Sequence, residues 1–240
     1  MRRIFDQFDQ VRIINLPERT DRKAAVLREL DAIGIDASVP KISFFEARRP
    51  QVETTPSGLR QSNGALISHR EAIREAVASG VETLLVLEDD IFFRAPPAAD
   101  VLAIVEAMKV KPWDLIYFGY LEPTEGDLAG GPLAAWPGRV IGGHFCGMNR
   151  QFMQRLVGFI DGFGAPGPDG EIVNPTHRDG AFNLFIEKNP DVNRFLAVPN
   201  LAIQRSSRTD LHENHFYDKT PFLRDALGVF RALRNHLRRR

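Results

Sequence analysis

An α/β fold is predicted for this chain of 240 residues, and three observations predict it. Short apolar runs rich in β-branched residues alternate with segments of helical periodicity. Hydrophobic residues make up 43% of the chain and charged residues 26%, which is enough apolar material for one large core and too much for a disordered chain. The long polar loops follow strands or precede helices, where open α/β sheets place their ligands.

The elements follow in order. Val11 to Leu16 (VRIINL) reads as a buried strand stopped by Pro17. Thr20 or Asp21 caps a helix over 22–33 that Gly34 ends. Val39 to Phe45 is a second extended segment, and 48–63 is a polar loop without periodicity. Asn63 opens the clearest helix, with Leu66, His69, Ile73 and Ala76 at helical spacing and Gly80 closing it. ETLLVLEDD (82–90) is a buried strand ending in three acids. A helix starts at Pro96 and Pro97 and runs to about Met108, and WDLIYFG (113–119) is again a strand. After a loop over 121–138, the pattern gives a strand over 139–148, a helix over 151–160, a Gly/Pro-rich loop over 161–177, a helix over 179–188 and a strand over 194–198.

Composition excludes several function classes. Lys+Arg 31 against Asp+Glu 31 leaves no net charge, so a wholesale basic nucleic-acid binder is ruled out and no nucleic-acid partner is expected. The single cysteine, Cys146, can form no internal disulfide or Cys-rich zinc site, and fits a reducing compartment. MRRIFDQFDQ has charge with no apolar stretch behind it, so no secretory signal is expected. No run approaches the roughly 20 apolar residues of a membrane span. A cytoplasmic location is expected.

The chemical signal is Glu88, Asp89 and Asp90. Side chains alternate along a strand, so Glu88 and Asp90 share one side with Leu84 and Val86, and Asp89 faces the other way. Two ionised carboxylates that close repel unless a cation or a proton lies between them, and a hard divalent ion such as Mg²⁺ or Mn²⁺ suits such oxygen ligands. A solvated acidic corner at a strand exit is the alternative. No P-loop, dinucleotide fingerprint, nucleophile elbow or zinc-protease helix is present to offer another chemistry.

Three blocks stand in order: RIINLPERTDRK (12–23), GALISHREAI (64–73) and LLVLEDDIFF (84–93), with WDLIYFG (113–119) and GMNR (147–150) fitting more loosely behind them. In order and spacing they resemble glycosyltransferase family 25, the lipopolysaccharide-biosynthesis and procollagen galactosyltransferase family. The resemblance covers roughly the first 150 residues, and Ala65 stands where the family's second block usually has Cys. It implies a GT-A-like fold over 1–220, with a mostly parallel sheet, helices on both faces and a DxD-type acidic motif. It also implies an inverting transfer of a hexose, typically galactose from UDP-galactose, onto a glycan acceptor such as lipopolysaccharide core.

On that resemblance Glu88 and Asp90 hold Mn²⁺ (or Mg²⁺) against the donor diphosphate, and Asp89 bonds the ribose or a helix end. Asn15, Arg19 and Arg22 lie just past the first strand, where a base edge and phosphate oxygens would arrive. Asp21 and Arg22 also fit as ordinary first-turn residues. His69 is either a satisfied core histidine or, with Ser68, orients the acids from behind. An inverting transfer needs a base, and Asp179 is the choice over Glu171 and Asp169, against the plainer reading of an N-cap. A third metal ligand is expected from His212 or His215, against a surface role for both.

Residues 221–240 carry six arginines, one acid and a stripe of Leu223, Leu227, Phe230, Leu233 and Leu237. This basic amphipathic pattern predicts either peripheral membrane contact or a core-packing or dimer helix with a basic tail. Two rival functions use the same features: a metal-dependent phosphohydrolase or nuclease, and a non-catalytic sugar-nucleotide-binding module.

Overall fold

The computed structural model describes residues 1–48, 52–54, 60–62, 64–123, 127–163 and 177–205. The segment 221–240, Glu171, Asp169, His212 and His215 therefore lie outside the described residues.

Among the described residues the chain runs α1 (Arg2–Phe5), β1 (Gln10–Asn15), α2 (Thr20–Ala32), β2 (Ile42–Glu46), β3 (Val52–Thr54), β4 (Arg60–Ser62), α3 (Gly64–Ala78), β5 (Thr83–Glu88), β6 (Ile91–Phe93) and α4 (Ala98–Val110). It continues through β7 (Leu115–Gly119), β8 (Leu133–Ala135), β9 (Phe145–Asn149), α5 (Arg150–Asp161), α6 (Arg178–Lys188), β10 (Arg194–Ala197) and β11 (Ala202–Gln204). The main sheet has the order β2-β1-β5-β9-β7-β10-β8, with β11 joining β7 and β6 pairing β11. Along that path β2, β1, β5, β7 and β10 run one way, and β9 and β8 run against them. The α/β class and the mostly parallel sheet flanked by helices are thus as expected.

Alternation along β5 splits the core into two layers. Leu85 and Leu87 join Val11, Ile13, Phe118 and Phe145 in one cluster, which residues of α1, α2 and α4 complete. Leu84 and Val86 join Tyr117, Cys146 and Met148 in the other, which residues of α3, α5 and α6 complete. The sheet is therefore buried on both faces, as a parallel sheet must be. Among the described residues no helix is long and apolar enough to cross a membrane.

Four stretches differ from expectation. The 48–63 region contains an antiparallel pair, with Val52 opposite Ser62. The short strands β6, β8 and β11 are additional to the expected elements, and β8 falls within the loop expected over 121–138. The strand expected over 139–148 forms only from Phe145, because Gly142 takes φ +66°, a left-handed conformation that interrupts an extended run. The fourth difference matters most for function. β5 ends at Glu88, and Asp89 and Asp90 form a turn rather than a continuation of the strand.

Candidate functional site

The parallel register of β1 against β5 sets Ile14 opposite Glu88, so the carboxyl ends of both strands open on one edge. The antiparallel β9 starts at that edge, and the Glu88 amide donates to the His144 carbonyl at 3.0 Å. This is the crevice outside the carboxyl ends of parallel strands, where α/β sheets bind ligands.

Glu88 follows the strand's alternation and points toward the face of α3 and α6. His69, on the apolar stripe of α3 and 1% exposed, has its Nε2 3.2 Å from Glu88 Oε1. Burial lowers the His69 pKa, so the ring is neutral, and this contact assigns its proton to Nε2. Arg178 Nη2 is 3.6 Å from the same oxygen. Burial pushes the Glu88 carboxyl up, but the His69 hydrogen bond, the Arg178 charge and the neighbouring His69 and His144 imidazoles outweigh it and hold the group at about 2. Glu88 is thus an anion, and its side chain keeps 25% exposure.

Asp89 and Asp90 turn toward α2. Asp89 Oδ2 accepts from Asn15 Nδ2 at 2.8 Å and its Oδ1 accepts from Arg22 Nη1 at 2.7 Å. The same Arg22 nitrogen lies 3.7 Å from Asp90 Oδ2, which also accepts from Gln204 Nε2 at 3.1 Å. The expectation that Glu88 and Asp90 share one side and Asp89 the other is therefore corrected. The two aspartates meet at Arg22 because the strand stops before them, and side chains alternate only while the backbone stays extended.

Among the described residues, Asp90 Oδ1 is buried without a hydrogen-bond partner. Burial, and next the charge of Glu88, push this carboxyl up to about 7. A buried acceptor oxygen beside a second carboxylate is a place short of positive charge. Its donor set fits a hard cation, which would satisfy Oδ1 and relieve the repulsion. Among the described residues no three His, Cys, Asp or Glu side chains form a ready ligand set. Glu88 and Asp90 are what they supply, and His212 lies outside them.

The remaining expected residues are placed as follows. Asn15 is buried and also donates to the Arg19 carbonyl at 3.3 Å. Arg19 directs its fork at Asp21 with two contacts of 2.9 Å, and that hydrogen bond is the main reason the Asp21 carboxyl sits at about 2. Asp21 is 66% exposed while Arg19 is 14% exposed, so the pair reaches solvent on the Asp21 side. Ser68 does not reach the acids. It donates to the Gly64 carbonyl at 2.6 Å and accepts from the Arg48 amide at 2.9 Å, so only His69 of that pair serves the site.

Asp179 is not an N-cap. His177 occupies that position without a side-chain cap, and Asp179 lies in the first turn of α6. Its Oδ2 accepts from the Gly142 amide at 2.7 Å and its Oδ1 is 3.2 Å from Arg178 Nη2. Three residues of the site were not singled out from the sequence: Arg178, Gln204 and His144. Arg178 stood beside Asp179 in THRDGAF, but nothing local ties it to an acid some ninety residues earlier. His144 is 1% exposed, and its Nδ1 lies 2.6 Å from the Gly142 carbonyl.

No protein-family model matches the chain. A curated relative described as a glycosyltransferase 25 family member, from Anopheles gambiae, is 30% identical over 135 residues, covering 48% of this chain. The chain spans 22% of that relative's length. The likeness read from the three sequence blocks thus has a counterpart in a protein bearing that family's name. Among solved structures, a glycosyltransferase involved in glycosylation of the major capsid of PBCV-1 aligns with a TM-score of 0.47 at 11% identity, over 83% of this chain and 95% of that one. A Drosophila β1,4-galactosyltransferase 7 mutant, in complex with manganese, UDP-Gal and xylobiose, aligns with a TM-score of 0.43 at 7% identity, over 88% and 77%. Both likenesses are loose, and the fold described above stands on the chain's own strand pairing.

Proposed function

We propose that this chain carries a metal-dependent glycosyltransferase site of GT-A type. In this reading it moves a hexose, with UDP-galactose as the donor to test first, onto a hydroxyl of a surface glycan such as lipopolysaccharide core. The anomeric centre inverts. One observation carries the reading: the buried acidic end of β5, with its unsatisfied Asp90 oxygen, opens at the carboxyl edge of the sheet between Arg22 and Arg178. The partial likeness to a glycosyltransferase 25 family member supports it.

Glu88 and Asp90 would hold Mn²⁺ or Mg²⁺, with His212 as the third ligand. Bound there, the cation would stabilise charge on the departing nucleoside diphosphate. Arg19, beside Asn15 and Arg22, would pair with donor phosphate oxygens through its planar fork. Asn15 and Arg22 keep Asp89 in place, and Asp89 acts on the donor side through them. Asp179, oriented by the Gly142 amide, takes the proton from the acceptor hydroxyl. The acceptor oxygen then bonds to the anomeric carbon as the bond from that carbon to the diphosphate oxygen breaks.

The test is incubation with UDP-galactose, Mn²⁺ and a lipopolysaccharide-core oligosaccharide, with the product analysed by NMR. A new glycosidic bond of configuration opposite to the donor's is expected, and it should be lost in Glu88→Ala and Asp179→Asn. Equal UDP release with and without acceptor would instead assign a hydrolase.

We extend the proposal to the setting of the enzyme: a cytoplasmic protein held on an anionic membrane face by residues 221–240, near a lipid-linked acceptor. Sedimentation with anionic liposomes should disappear when 221–240 is deleted, and unchanged sedimentation contradicts the idea.

A further inference from the structure

Arg178 is where the two halves of the site meet. Its side chain is 4% exposed, and a single nitrogen, Nη2, lies 3.6 Å from Glu88 Oε1 and 3.2 Å from Asp179 Oδ1. One cation thus serves two carboxylates on different elements, the end of β5 and the first turn of α6. The rest of the guanidinium is enclosed. Its carbon lies 5.1 Å from the centre of the Phe182 ring, and among the described residues Nη1 is buried without a hydrogen-bond partner. A Cβ on Gly143 would stand 3.1 Å from Nη1 and 2.2 Å from Tyr117 Cε1, so the glycine there leaves room for both side chains.

A buried cation is stable only when paired, and two nearby carboxylates stay ionised together only with a cation between them. The guanidinium and the two acids therefore hold one another in place. Enclosed as it is, the guanidinium acts through the acids and not on a ligand. We propose that Arg178 is the positioning residue of this site: it ties Glu88 and Asp179 to one point charge. The gap between donor-side and acceptor-side acids is then set by the guanidinium and not by the loops between β5 and α6. The terms donor and acceptor rest on the glycosyltransferase reading; the clamp rests only on the contacts.

Two variants separate charge from volume. R178M keeps the length and the packing on Phe182 and removes the charge. R178K keeps the charge, and because one nitrogen makes both contacts in the native protein, an ammonium can restore much of the clamp. With the donor identified, R178M should lower kcat about 100-fold, the order that a misplacement of about 1 Å costs, with KM for the donor within about threefold. R178K should stay within about tenfold of the native kcat. A side chain that merely fills space would show neither the kcat-against-KM split nor the rescue by lysine.

A crystal structure of R178M needs no substrate, and it should show Glu88 and Asp179 further apart, with the contact to His69 or to the Gly142 amide broken. Both acids holding their native positions, or an R178M kcat equal to the native value, would overturn the proposal. Should R178M fail to fold, R178Q serves in the same comparison. Failure of the native protein to turn over any nucleotide sugar would count against the glycosyltransferase reading, while the crystallographic comparison would still decide the clamp.

Discussion

Asp90 is a buried carboxyl that its described surroundings leave short of positive charge. In the unfolded chain its carboxyl titrates near the ordinary 3.8, whereas burial and then the Glu88 charge push it up to about 7 in the fold. Between those values the folded state binds the extra proton. Stability therefore falls as pH rises through the window, and the penalty is complete above it. Glu88 has the opposite sign: held at about 2 against an ordinary 4.5, it contributes stability above that ordinary value and loses it as pH falls toward 2. An asparagine at position 90 has no charge to bury. Asp90→Asn should therefore raise the Tm of the metal-free protein at pH 8 by about 3–6 °C, equivalent to roughly 1.5 kcal/mol, and by less at pH 5. Equal melting temperatures for both proteins at the two pH values would contradict this. The acids themselves were legible in the sequence, since three carboxylates after four apolar residues stand out. Their pairing was not, because it depends on where β5 stops, and extended and turn conformations of Asp89 and Asp90 leave the same letters.

At the scale of elements, the long segments were legible and the short ones were not. α2, α3, α4 and α5 form within a few residues of the segments expected for them, because each spans three or more turns and repeats its apolar spacing. β6, β8 and β11 have three residues each, too few to establish a period of two, and they exist only because neighbours pair with them. That dependence on long-range pairing is also why Gln204 was missed, since β11 reaches Asp90 only after pairing antiparallel with β6. Asn149 is the clearest local device: it caps α5 by accepting from the Phe152 amide at 2.8 Å, and it donates to the Trp113 carbonyl and the Asp114 carboxylate at 2.9 Å each. It therefore ties the end of β9 to the entry of β7. Asn149→Ala should cost about 2 kcal/mol, the upper range for a cap, and lower Tm by about 4–8 °C in a thermal melt. A loss under about 1 °C would show that the tie carries no weight.

At the scale of the whole molecule, the charge balance hides an asymmetry. The last twenty residues carry six arginines against one acid, although the chain as a whole is neutral. The architecture places its unsatisfied chemistry at one edge. Asn15, Glu88 with Asp90, His144, and Arg178 with Asp179 come from four separate stretches of sequence, and they meet because β1 and β5 are parallel in register and β9 starts where β5 ends. The sequence blocks pointed to that edge through a family likeness, while the cation that joins Glu88 to Asp179 came only with the fold.

In the proposed function this edge binds a nucleotide sugar with the help of a divalent ion. Thermal unfolding with a panel of nucleotide sugars, each with and without Mn²⁺, tests it most directly. Saturation at about 100 times Kd adds roughly 2.7 kcal/mol, which for a domain of this size is a rise on the order of 5–10 °C. A rise with one UDP-sugar that requires the metal, and that Asp90→Asn abolishes, is the expected result. No rise with any donor at saturating concentration, metal present, would contradict the claim.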